Sequence, residues 1–257
     1  MDVKMKPLNK KSQITIFIIL ALIVIVLIIL IFLLKSPPKI RVLNEDEPQA
    51  YVESCTREYV EEAIRLISQH GGDIEPKGSI SYENLDRTYL CYNNNYYEGC
   101  INQRPLLVEH IEKEITDYIT PHLEKCFEEL ISSYGNRYNV ELEEQMKVNT
   151  ILQSKNVYVE IGRELDAKRG GESRNFKKFS MHLNSPIYNF AEIAMEIVNQ
   201  ETKYCNFDVI SYMFLYPEYD ITKFITGDSN IIYVITERAT NQKFTFAVRG
   251  CVMPPSF

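Results

Sequence analysis

The residues with the plainest chemistry in this 257-residue chain are its six cysteines, Cys55, Cys91, Cys100, Cys126, Cys205 and Cys251. Their even number, and their absence from the first 54 residues, favour disulfides made in an oxidising compartment over metal ligation, for which a Cys-x-x-Cys pair is missing. Fifteen complete pairings are open to six cysteines. Cys91 and Cys100 bracket a short loop and are placed to close it. Cys55 and Cys126 each fall on the apolar register of a predicted helix, so packing those helices would join them and leave Cys205 for Cys251. Buried free thiols are the alternative.

Other reactive types are dispersed. Gly227-Asp228-Ser229-Asn230 resembles the nucleophile block of serine esterases, but it stands late in the chain with no histidine after it, and a turn is the simpler reading. His70, His110, His122 and His182 show no metalloprotease spacing. His110, beside Glu109 and one helical turn before Glu114, reads as part of a solvated helix face. Glu61-Glu62 and Glu143-Glu144 are adjacent and must point different ways, which disfavours paired acid and base work. No catalytic residue, cofactor site or metal site is therefore assigned, and the chain reads as a non-enzyme. An exported, membrane-tethered hydrolase with a dispersed site is the second reading. Tyr92-Asn93-Asn94-Asn95-Tyr96-Tyr97, held between Cys91 and Cys100, has the rings and amides of a recognition loop. A stapled hairpin tip with Tyr on the sheet face is the simpler reading.

The elements that must position these residues follow from periodicity. Pro48 opens a helix with Val52, Cys55, Tyr59, Ala63, Leu66 and Ile67 at helical spacing, stopped by Gly71-Gly72. A Tyr-rich stretch from Ile80 to Ile101 predicts two short strands around Asn93-Asn94-Asn95. A second helix runs from near Pro105 to Gly135 through Ile111, Ile115, Ile119, Leu123 and Phe127, with a kink expected at Pro121. Alternation at residues 138–142, 148–152, 157–161 and 179–183 predicts an antiparallel meander with turns near Glu144, Lys155 and Gly170-Gly171. Pro186 opens a third helix, and Ile210 to Tyr216, Ile231 to Thr236 and Phe244 to Val248 read as strands. The class is α+β, amphipathic helices on antiparallel sheet, with residues 47–135 the helical and hairpin part and 136–257 mainly sheet.

Ahead of this domain, residues 14–34 form an apolar run without charge, Pro or Gly, long enough to cross hydrocarbon as one helix and longer than a cleaved signal core. Residues 1–13 are a basic leader and 35–46 a Pro-containing linker. Lys4, Lys6, Lys10 and Lys11 before the run outnumber the basic residues after it, placing the N-terminus in the cytoplasm and the C-terminal domain outside the cell. Seven of the 28 Lys and Arg and one of the 35 Asp and Glu lie in residues 1–41, leaving the remainder at net −13, a charge that repels nucleic acid.

Lys10-Lys11-Ser12-Gln13-Ile14-Thr15-Ile16 resembles the start of archaeal type IV pilin-like precursors. The resemblance implies cleavage between Ser12 and Gln13, with the apolar helix retained. Phe17 stands where many pilins carry Glu, and Ser36-Pro37-Pro38 interrupts the helix outside the membrane, which implies a tethered subunit in place of a polymer. Tyr51 to Cys55 and Gln69 to Ile74 resemble uncharacterised single-pass archaeal surface proteins. The expected function is that of a membrane-anchored extracellular binding or structural protein, pilin-like or concerned with cell contact. Its expected partners are the lipid bilayer, through Ile14 to Leu34, and a surface protein or glycan.

Overall fold

The computed structural model describes residues 19–25, 48–135 and 138–253. Residues 19–25 are helical, and the chain divides into a unit of residues 1–43 and a compact unit of residues 44–257. Among the described residues no helix is long and apolar enough to cross a membrane. The leader with Ser12 and Gln13, the linker, and the expected span apart from 19–25 lie outside the described residues.

The second unit is α+β. Helix α1 (Pro48–His70) buries Val52, Cys55, Val60, Ala63, Ile64 and Ile67, a face turned slightly from the expected one, so that Tyr59 and Leu66 are only half-buried. Helix α2 (Leu107–Tyr134) buries Ile111, Ile115, Ile119, Leu123, Cys126, Phe127 and Leu130, and stays helical on both sides of Pro121. Pro186 occupies the N-cap of α3 (Ile187–Tyr204), whose Phe190, Ala194, Ile197 and Val198 are buried.

Two sheets share one core with these helices, and the antiparallel meander expected over residues 138–183 is the first of them except in the place of its first strand. The first has strands β4 (Asn139–Leu142), β5 (Lys147–Gln153), β6 (Asn156–Arg169) and β7 (Glu172–Asn184). Here β6 is long enough to pair β5 along its first half and β4 along its second, with β7 on its other edge, so β4 does not pair β5. The second sheet has β1 (Ser79–Tyr82), β2 (Leu85–Tyr92), β3 (Ile101–Asn102), β8 (Tyr219–Ile225), β9 (Asn230–Glu237) and β10 (Lys243–Arg249). It is mixed, because β2 joins β10 in parallel across more than 150 residues of chain. The helical and hairpin part therefore contributes strands to the C-terminal sheet and is not a separate body.

One element differs in type. Residues expected as a strand at 210–216 form helix α4 (Val209–Leu215), and the strand is the following segment, β8. Asp208 starts the helix by accepting from the Ser211 N–H at 3.1 Å, a local bond that outweighs the β-branched and aromatic composition. No residue of α4 is buried, and Ile210 and Phe214 are exposed.

Three disulfides tie the unit together, in the pairing suggested by spacing and helix register. Cys55–Cys126 joins α1 to α2 with Cα atoms 6.3 Å apart, Cys91–Cys100 closes the loop after β2, and Cys205–Cys251 links the end of α3 to the segment after β10.

Candidate functional site

The candidate site is built around β2. Its hairpin with β1 turns at Glu83-Asn84, both with positive φ, the geometry that matches the twist of two antiparallel strands. Alternation along Leu85–Tyr92 then sends Arg87 and Tyr89 to one face and Thr88 and Leu90 to the other.

Strands β2 and β10 pair only from Tyr89 and Ala247 onward. Before that point the C-terminal turn of α1 is held between them. The Arg87 guanidinium donates from one terminal nitrogen to the Gln69 carbonyl oxygen. Gly71, at φ +78°, packs so closely on β10 that an added Cβ would stand 2.8 Å from the Cβ of Phe246. Glycine is required there twice over, by conformation and by space.

Where α1, β2 and the face of β8–β10 meet lies a groove of about 860 Å³, within the range of small-molecule sites, roughly 300–1,000 Å³. Thr222, Thr236 and Thr245 line it from the sheet, Ser68 and Gln69 from α1, and Asn184 and Ser185 from the end of β7. Asn241 and Gln242 of the β9–β10 turn add amides, and the rings of Tyr82 and Phe224, 5.9 Å apart, border it together. Hydroxyl and amide residues outnumber the aliphatic lining residues Ile64, Leu85, Leu183 and Val234, and Glu61, Arg65, Glu83, Asp220 and Lys243 add charges of both signs.

Arg87 also lines this groove and is only 5% exposed. Its Nε is buried without a hydrogen-bond partner, and among the described residues no carboxylate stands in ion-pair range of it. Burial pushes the guanidinium below the usual arginine value, and the charges of Glu83 and Tyr82 oppose that shift only in part. A buried cation left so incompletely paired is costly unless something else supplies the missing acceptors.

Thr88, next along the strand, lies in the opposite situation. Its hydroxyl donates to Asp73 Oδ2 at 2.9 Å, while Arg104 approaches the same oxygen at 3.2 Å and His110 Nε2 lies 2.5 Å from Oδ1. Burial raises the Asp73 carboxyl, but the bonds from His110 and Thr88 and the charges of Arg104 and His110 outweigh it, so the net direction is downward. The ligand atoms of Asp73, His110 and Glu114 fall within 4.8 Å of one another. Each is already engaged, Glu114 by the Ile74 N–H at 2.8 Å, and the Arg104 cation opposes a divalent ion at Asp73. The cluster is a polar lock on the turn after α1, and His110 belongs to it, half-buried, where a solvated face was expected.

The recognition loop expected between Cys91 and Cys100 spends its amides internally. Asn93 bonds Gly99 and Glu98, Asn95 bonds Glu98, and Asn94 accepts from Arg249. Tyr92 packs edge-on against Tyr89 and, like Tyr96 and Tyr97, is exposed. The loop is a docked cap on the C-terminal segment, since Tyr97 N–H donates to the Val252 carbonyl. Ser229 sits in the β8–β9 turn, bonded to Thr226. His122 stacks on Tyr59 at 4.2 Å, and His182 lies against Tyr158 at 4.7 Å.

The groove was not found from sequence. The available signal was Arg87 sharing a strand face with Leu85 and Tyr89, an inward register for a cation. No protein-family model, curated protein or solved structure matches this chain, so its function is read from the geometry alone.

Proposed function

We propose that the protein is a single-pass, membrane-anchored binding protein of the cell surface, with residues 44–257 outside the cell and the groove at Arg87 as its ligand seat. The observation that carries the seat is the nearly buried guanidinium, with an unpartnered Nε, lining a groove of about 860 Å³. A fold that keeps such a group forgoes stability that an apolar side chain would give, and ligand recognition is the compensating use. Three disulfides support export to an oxidising compartment. The apolar run at 14–34 and the Lys-rich flank support the anchor and its orientation. The pilin-like leader supports processing between Ser12 and Gln13, with the mature chain retained in the membrane.

Protease added to intact cells is expected to degrade residues 44–257 while an N-terminal tag stays protected until lysis. Full protection of the domain would overturn the orientation. N-terminal sequencing of native material is expected to begin at Gln13, and an intact Met1 would remove the pilin-like processing.

A further inference from the structure

We infer that the groove takes an acidic saccharide, with a sugar carboxylate seated at Arg87 and the sugar hydroxyls on the Thr, Ser, Asn and Gln lining. This rests on the groove being the ligand seat, and it names what sits there.

Two features of the lining choose the class. The first is charge. Arg87 lacks a carboxylate in ion-pair range among the described residues. Arg65 and Lys243 border the same groove, and Glu61, Glu83 and Asp220 line it too, so the lining carries charges of both signs and the anion seat is local to Arg87. A planar guanidinium is matched by a carboxylate, which accepts two parallel N–H bonds, and such charge-assisted bonds are stronger than neutral ones. Arg87 Nε is closed off from solvent and one terminal nitrogen is committed to Gln69, which leaves the other terminal nitrogen as the donor for a ligand carboxylate.

The second is the remainder of the lining. Thr222, Thr236 and Thr245 present hydroxyls from three adjacent strands, each able both to donate and to accept. Asn184, Asn241 and Gln242 add amides with the same dual capacity. A ligand matched to that surface carries many hydroxyl groups. At the border, Tyr82 and Phe224 form a ring pair against which the apolar C–H face of a pyranose can pack. Simple carboxylates would use Arg87 but leave the hydroxyl and amide lining unmatched, and neutral sugars would leave Arg87 unmatched.

Residues 44–257 form a compact unit with its own core, so the test uses that unit. Calorimetric titration is run with a panel of uronate-containing oligosaccharides of two to six sugars, the same compounds with carboxylates reduced to alcohols, and glutarate as a sugar-free dicarboxylate. At least one uronate is expected to bind, its carboxyl-reduced form at least tenfold more weakly, and glutarate more weakly still. Arg87→Gln is expected to cut uronate affinity at least tenfold while leaving the melting temperature within a few degrees, and Arg87→Lys to restore part of it. Equal binding of acidic and reduced forms, unaffected by Arg87→Gln, would overturn the carboxylate assignment and leave the groove as a ligand seat. Glutarate binding as tightly as the best uronate would overturn the saccharide assignment. Absence of binding by every compound would overturn the seat together with its ligand.

Discussion

Two buried arginines, one in each sheet, meet opposite fates. Arg163 stands on the core face of β6 at 7% exposure, where strict alternation delivers it among Val159, Ile161 and Leu165. Its terminal nitrogen meets Glu124 Oε2 at 2.6 Å, its Nε donates to the Glu143 carbonyl at 3.0 Å, and its guanidinium lies 5.0 Å from the centre of the Phe127 ring. Arg87 of β2 is buried as deeply, yet has one backbone acceptor and an unpartnered Nε. Both sites pay the desolvation of a cation, but only the first recovers it inside the protein. The difference separates a cation that holds the fold from one held ready by it.

The largest expected effect strikes both regions at once. Cys55–Cys126 pins α1, which borders the groove, to α2, which carries Glu124, across a separation of 71 residues. Loop entropy predicts a loss of about 4 kcal/mol for Cys55→Ser, and the double replacement with Cys126→Ser is expected to cost no more, because one bond is removed in either case. Equilibrium denaturation checks this. Additive losses in the double variant would mean that each side chain stabilises the fold separately.

Arg163→Met comes next. Breaking a buried pair costs roughly 3–5 kcal/mol, and the lower end, about 3 kcal/mol, applies because the Glu124 side chain is 42% exposed and regains water. A loss below about 1 kcal/mol would show that Arg163 is no better compensated than Arg87, and the contrast between the sheets would disappear.

A smaller effect belongs to the lock beside Arg87. Asp73 has its carboxyl lowered in the folded state, so the unfolded chain binds the proton more readily. The stability contributed by Asp73 is therefore complete above the ordinary aspartate value, about 3.9, and is lost as pH falls through the lower folded value. Melting temperature followed from pH 6 to pH 2 is expected to fall in that window, and to fall less steeply in Asp73→Asn. An identical slope in both proteins would remove the lock from the account.

Legibility in the sequence follows the same division between closed and open environments. Helix α2 was readable because its buried Ile111, Ile115, Ile119 and Leu123 repeat at helical spacing. Strand β8 was not, because Lys223 sits between buried Ile221 and exposed Ile225, bonded at 2.9 Å to buried Glu201, and so spoils the apolar alternation. Tyr233 donates to the same Glu201, and burial, with that carboxylate's charge, raises its phenol. Helix α4 was misread because apolar or aromatic residues lie on both of its sides, with Val209, Tyr212 and Met213 half-buried against the core and Ile210 and Phe214 exposed, so no contrast of faces reveals its period. The cysteine pairing was within reach because register on two helices is a local property. The groove draws on residues near 64, 87, 184, 222 and 245, whose approach depends on the parallel pairing of β2 with β10, and no local pattern encodes that.

The central claim is that Arg87 is held by the fold without stabilising it, and urea denaturation of Arg87→Met tests this most directly. Methionine keeps an apolar stem and removes the incompletely paired charge, at the cost of one bond to Gln69. The account predicts a stability within about 1 kcal/mol of the parent, or above it, with an unchanged denaturant slope. A loss of about 3 kcal/mol, equal to that expected for Arg163→Met, would make Arg87 a structural cation and contradict the account.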